Sequence, residues 1–144
     1  MLLVVLVIAH ILFAAVWFGS SLALPTLSRA ATAGSGEAVA VAGGRIVQFM
    51  TGAVVLWYLF ALAAFFVGGG FSAYTPPYHA SLTLGLALVL IQLLVIRPSW
   101  AKVAAGDESG RKRLAMWLGV GHLLWFVILV LMFFGPKWSA VWAY

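Results

Sequence analysis

Apolar residues fall in four long blocks, at residues 2–24, 46–67, 79–96 and 114–134, with polar residues gathered between them. Each block is close to the ~20 residues that carry a helix across a ~30 Å hydrocarbon layer at ~1.5 Å per residue. Backbone amides in hydrocarbon must bond within their own segment, and four uniformly apolar blocks are too few to close a barrel. The pattern therefore predicts an all-α integral membrane protein: one domain, residues 1–144, built as an up-down bundle of four transmembrane helices. The third block is the shortest, and Pro98 follows its end. The first block ends near Ser21-Leu22-Ala23, a small-residue pattern of the cleavable-leader type. It lacks a basic start and exceeds the ~7–15 apolar residues of a leader, so a retained helix is predicted.

The connections differ in character. Residues 28–44 are rich in small residues and predict a loop with a short surface helix at 37–42. Residues 68–78 hold Gly68-Gly69-Gly70 and Pro76-Pro77 with Phe71, Tyr74 and Tyr78 between them, a turn without charge. Residues 97–113 hold Arg97, Lys102, Asp107, Glu108, Arg111, Lys112 and Arg113. With Arg29 and Arg45, the first and third connections carry 7 of the 8 basic residues, leaving Lys137 on the other side. Lys and Arg collect on the cytoplasmic side. A multi-pass protein of the cytoplasmic membrane is predicted, with both termini outside. Trp138, Trp142, Tyr144, Tyr74 and Tyr78 then form an outer aromatic belt, and Trp100 and Trp117 an inner one.

Composition narrows the function. Hydrophobic residues make up 65% of the chain and charged residues 8%, against roughly 45–50% and 25% in soluble domains. The excess apolar surface must face the lipid bilayer, which excludes a soluble enzyme or a disordered tail. The net charge of +5 rests on only 8 Lys and Arg, with no basic amphipathic element, so a nucleic-acid partner is excluded too. The chain has no cysteine, hence no disulfide, thiolate metal site or iron–sulfur cluster. All three carboxylates lie in connections, which argues against a proton- or cation-coupled transporter. Met1, Met50, Met116 and Met132 are scattered, with no Met-x-x-Met pair to relay copper(I).

The polar residues left inside the spans are His10, Gln48, Thr51, Ser81, Thr83, Gln92 and His122. At ~1.5 Å per residue, His10 is placed ~12 Å below the outer surface and His122 ~15 Å above the inner one, both near the midplane of a ~30 Å core. They are predicted to face one internal site. Gly119 and Gly121 flank His122, with Trp125 and Phe126 a turn on; Phe13, Ala14 and Trp17 follow His10. Small and aromatic neighbours suit a flat macrocycle between helices. The residues equally allow a packing role, with each histidine pointing inward and hydrogen-bonded to Gln48, Thr51, Gln92 or backbone. Ser81, Gly85, Leu88 and Gln92 form a stripe predicted to face the bundle. His79 lies off that stripe and is assigned to the turn, as a reserve ligand. Arg45 and Gln48 share a side of the second span; they suit the propionates of a cofactor, or, for Arg45, anchoring at headgroups.

His10, Ala14-Ala15-Val16-Trp17-Phe18-Gly19 and Leu24-Pro25 resemble the opening helix of a broad family of small bacterial membrane proteins. The family includes the copper-resistance protein D domain, the HemJ-type protoporphyrinogen oxidases and uncharacterised four-helix relatives. Gln92-Leu93-Leu94-Val95-Ile96-Arg97-Pro98 and Gly121-His122-Leu123-Leu124 are similar to the uncharacterised members. The resemblance implies a four-helix bundle whose histidines, in some members, bind b-type haem, with His10 at the first-helix position. The HemJ-type enzymes carry His-x-Lys early in their third helix; here His79-Ala80-Ser81 stands at those positions, without the lysine. The expected function is a haem b-binding redox protein, with His10 and His122 as iron ligands, working with a quinol, a porphyrin or a larger membrane complex. The alternatives are a non-catalytic membrane subunit or assembly factor, and a carrier for a small solute or copper. Homo-oligomerisation is left open.

The topology is directly testable because the chain supplies no background thiol. In intact cells, an impermeant thiol reagent should label Ala73→Cys and spare Asp107→Cys; the reverse pattern would invert the orientation.

Overall fold

The computed structural model describes residues 1–34 and 36–134, Phe134 by its backbone alone. Among these residues the fold is entirely helical: α1 (Leu2–Ser21), α2 (Leu24–Thr32), α3 (Glu37–Val67), α4 (Pro76–Ile91), α5 (Arg97–Ala104) and α6 (Glu108–Phe134), with a π-turn at Gln92–Ile96. They make four arms, each long and apolar enough to cross a membrane: Leu2–Thr32, Glu37–Val67, Pro76–Ala104 and Glu108–Phe133. The chain is a multi-pass membrane protein with an up-down bundle of four helical arms. We call the end with Met1 and residues 68–75 the aromatic end, and the end with residues 33–36 and 105–107 the basic end. The expected belt residues Trp138, Trp142 and Tyr144, with Lys137, lie outside the described residues.

The arms outrun the apolar blocks at the basic end. Residues 28–44 are largely helical rather than a loop, and the helix expected at 37–42 is the start of α3. Gly43 and Gly44 do not interrupt it. The Trp100 ring lies against Gly43, where any Cβ would collide with it, and Trp100 Nε1 donates to the Ala40 carbonyl at 3.2 Å. Trp100 is therefore buried and is not part of an interfacial belt. Local propensity favours a break at two glycines, but tertiary packing overrides it.

Two prolines bend the arms without ending them. Pro25 has no N–H to give the Ser21 carbonyl, so the first arm is offset between α1 and α2, and Ala23 N bonds back to the Ser20 carbonyl at 3.4 Å. Pro98 opens α5 just after the π-turn. A proline ring clashes with the carbonyl four residues back in a regular α-helix, and a widened turn ahead of it relieves that crowding. The third arm thus continues beyond Pro98. At the other hairpin, Gly69 and Gly70 take successive positive φ values of 109° and 64°, a path that side chains with a Cβ rarely follow. Asp107 caps α6 by accepting Ser109 N at 2.8 Å; the Ser109 hydroxyl and amide hold its carboxyl below the usual carboxylate range. Glu108 pairs with Arg111 one turn on.

The bundle is an incomplete ring. α3 packs on α1 and α4, α4 packs on α6, and α5 closes on α3 and α6 at the basic end. The predicted stripe of Ser81, Gly85, Leu88 and Gln92 is buried. Gln92 has no exposed surface and joins three arms. Trp17 Nε1 donates to its Oε1 at 3.1 Å. Its Nε2 donates to Thr51 Oγ1 at 3.1 Å, and Thr51 Oγ1 donates to the Val47 carbonyl at 2.8 Å. α6 joins through Gly121, where a Cβ would lie 3.1 Å from the Trp17 ring and 3.4 Å from Leu88.

This clasp is testable by a double-mutant cycle. Gln92→Leu strands the buried Trp17 N–H and should cost about 1–3 kcal/mol of unfolding free energy in detergent micelles. The Trp17→Phe, Gln92→Leu double variant should cost less than the sum of the singles by about 0.5–3 kcal/mol. Strict additivity would show that the two side chains are not coupled.

Candidate functional site

α1 and α6 meet toward the basic end. There Phe18 stacks on Trp125 with centroids 4.6 Å apart, and Ser21 Oγ lies 2.6 Å from His122 Nε2. Toward the aromatic end the helices part around a cleft of about 670 Å³, within the ~300–1,000 Å³ range of ligand sites. Its lip is exposed on both sides, at Val7 and Ile11 of α1 and at Leu129 and Phe133 of α6. The opening thus faces sideways, into the apolar phase. Small residues leave the room: Ala14 and Ala15 on α1 and Ala61 and Ala64 on α3; Gly85 of α4 instead lets the Trp57 and Tyr58 rings approach, since a Cβ there would lie 3.2–3.3 Å from them. Trp57, Phe65 and Trp125 supply aromatic walls, and among the described residues no charged side chain lines the cleft.

His10 lines the cleft and is buried, at 7% exposure. Its Nδ1 lies 3.1 Å from the Trp57 carbonyl, and its ring stacks on Trp57 with centroids 5.5 Å apart. A carbonyl only accepts, so Nδ1 carries the proton and Nε2 keeps the lone pair, without a partner among the described residues. The other polar atoms here are less available. Ser81 Oγ donates to the Pro77 carbonyl at 2.8 Å; Tyr58, Tyr74 and Tyr78 contribute neutral phenols.

The expected common site of His10 and His122 is not formed. His122 sits opposite Ser21, eleven residues beyond His10 along the first arm, or ~16 Å at ~1.5 Å per residue. The expected depths coincide only for a ~30 Å bundle measured from both faces. The first arm has 31 residues, ~46 Å at that rise, and the extra length separates the two histidines. Ser21 Oγ donates to the Phe18 carbonyl at 2.6 Å, so His122 donates from Nε2–H to the hydroxyl. Its ring is enclosed by Trp17 and Phe18. His122 is thus tied to the wall of the bundle; neither histidine bonds to Gln48, Thr51 or Gln92, and of the expected partners only backbone is used, by His10 at the Trp57 carbonyl.

Arg45 and Gln48 do not belong to this site either. Both are exposed, and they precede Trp57 on α3 by twelve and nine residues, ~18 and ~13 Å toward the basic end. The shared face expected for them points away from the cleft. His79 lies in the first turns of α4, not in the connecting turn, with its ring against Phe65 and Phe71 at centroid distances of 5.7 and 5.3 Å. It does not line the cleft. No group of three or more His, Cys, Asp or Glu side chains converges among the described residues.

The site also holds residues that sequence reasoning passed over. Trp57 and Tyr58 were hidden in an apolar block, where aromatic residues are ordinary. Met132 is one of four scattered methionines in the sequence. The run of Ala and Gly at cleft positions was the available signal, since small residues clustered at one depth mark either close packing or space.

Compared with models of protein families, with curated proteins and with solved structures, the chain matches none.

Proposed function

We propose that the protein is a redox protein of the cytoplasmic membrane that holds b-type haem in the cleft between α1 and α6 and exchanges electrons with a quinol or porphyrin partner. One observation carries this reading: His10 gives its Nδ1 proton to the Trp57 carbonyl and keeps a lone pair on Nε2 inside an apolar cleft. Iron- and zinc-ligating histidines are oriented by this kind of bond from the second ring nitrogen. When bound, the haem would supply one-electron chemistry at a potential set by its ligands and by the polarity of its walls. The chain's own residues do the rest. Trp57 and Trp125 bound a flat ligand, the alanines leave it space, and Tyr58 and Tyr78 offer hydroxyls in a lining with no fixed charge among the described residues. The sideways opening admits a lipophilic molecule from the bilayer. The resemblance of the first-helix motif to haem-binding members of the copper-resistance protein D and HemJ-type group supports the same assignment. The missing lysine after His79 leaves protoporphyrinogen oxidation outside the proposal. The basic loops are proposed to face the cytoplasm.

A second reading draws on α1, whose apolar window is only 11% buried within the chain. That face suits a helix of a larger membrane complex, with this protein as a non-catalytic subunit. It expects comigration with a larger assembly on native gels of mildly solubilised membranes.

An absorption spectrum of detergent-extracted protein, produced with ample haem, tests the first reading. A Soret band is expected, lost in His10→Ala and kept in His122→Ala. A colourless wild-type protein, or a spectrum indifferent to His10→Ala, would overturn it.

A further inference from the structure

We infer that Met132 is the second iron ligand of this site, its thioether opposing His10 to make a His–Met pair; the inference rests on the haem reading above. Both side chains line the same cleft, from helices on its two sides. The contacts between these antiparallel helices set their register: Ser21 with His122, Phe18 with Trp125, and Trp17 and Phe18 with the His122 ring. Carried along the helices, these contacts bring Met132 to the level of residues 7–11, a stretch that includes His10. Helical side chains lean toward the N-terminus of their own helix. His10 therefore leans toward the aromatic end and Met132 toward the basic end, so the two incline toward a common level across the gap.

Elimination within the lining points the same way. Ser81 has committed its hydroxyl to a backbone carbonyl. The tryptophans have only N–H to offer, and tyrosine would have to lose its proton to bind iron, with no cation among the described lining residues to favour that loss. The Met132 sulfur is the soft donor that remains, and thioethers suit iron when paired with imidazole, raising its potential. Met132 belongs to no methionine cluster, so its role emerges only from the antiparallel register of α1 and α6.

The test uses the full chain, loaded with haem, and two substitutions. Met132→Leu conserves volume, so the fold should hold. It should convert a six-coordinate low-spin spectrum to a five-coordinate one, remove the weak far-red thioether-to-ferric-iron band, and open the iron to carbon monoxide. Met132→His should restore six-coordination without that band and lower the midpoint potential below wild type. An unchanged low-spin spectrum and potential in Met132→Leu, with haem still lost in His10→Ala, would overturn the Met132 assignment while leaving the haem site standing. Wild-type protein that takes up no haem would overturn both.

Discussion

The fold turns on one buried amide. In the membrane interior, water cannot satisfy a stranded N–H or C=O, so a polar side chain there either finds partners or costs several kcal/mol. Gln92 finds three groups on two other arms: the Trp17 indole, the Thr51 hydroxyl and, at 3.4 Å, the Val47 carbonyl. Apolar side chains would not by themselves choose one partner in lipid, because lipid tails are as apolar as leucine. The directional bonds of Gln92 fix the register of the first three arms. The π-turn that presents Gln92 is also what lets the third arm continue past Pro98, so one backbone irregularity serves both ends of the problem.

The clasp also explains where the bundle is open. Trp17 spans the centre from α1 to Gln92 and rests on Gly121 of α6, drawing the four arms together at that level. Toward the basic end, α2 and α5 add further contacts and Trp100 lies on Gly43. Toward the aromatic end no comparable polar bond joins α1 to α6 among the described residues, and alanines stand where larger side chains would have filled the gap. The bundle is held shut at one end and wedged open at the other. A cavity of this size would carry a substantial packing cost if left empty, which favours its retention for a ligand or for lipid chains.

Hydrophobic blocks made the four arms legible, because crossing hydrocarbon imposes length and apolarity on each. The buried stripe from Ser81 to Gln92 was equally legible as a helical period. Boundaries were not. Gly43-Gly44 and Pro98 look like stops, and only the Trp100 contact and the π-turn, both consequences of tertiary packing, carry the helix through them. The site was half legible. His10 stands out as an ionisable group in a span, yet its pairing with His122 required arm lengths that the apolar blocks understate. Arg45 and Gln48 share a helix face, but a periodicity does not say whether that face turns inward.

The contrast between the two histidines lies in the space beside each ring rather than in their hydrogen bonds. Each imidazole has one proton and one lone pair when neutral. At His122 the proton goes from Nε2 to Ser21, whose own proton goes to Phe18, and the aromatic rings of Trp17 and Phe18 cover the imidazole. That chain ends on a carbonyl within α1 and joins α6 to α1, a cross-link that would be lost with either partner. At His10 the proton also ends on a carbonyl; each imidazole keeps one ring nitrogen without a partner among the described residues, and the His10 ring lies beside a cleft. A histidine retained only as a cross-link needs no such space. Trp57 orients the ring from one side while alanines keep the other side clear, and that asymmetry distinguishes a residue held ready for a ligand from one that completes a core.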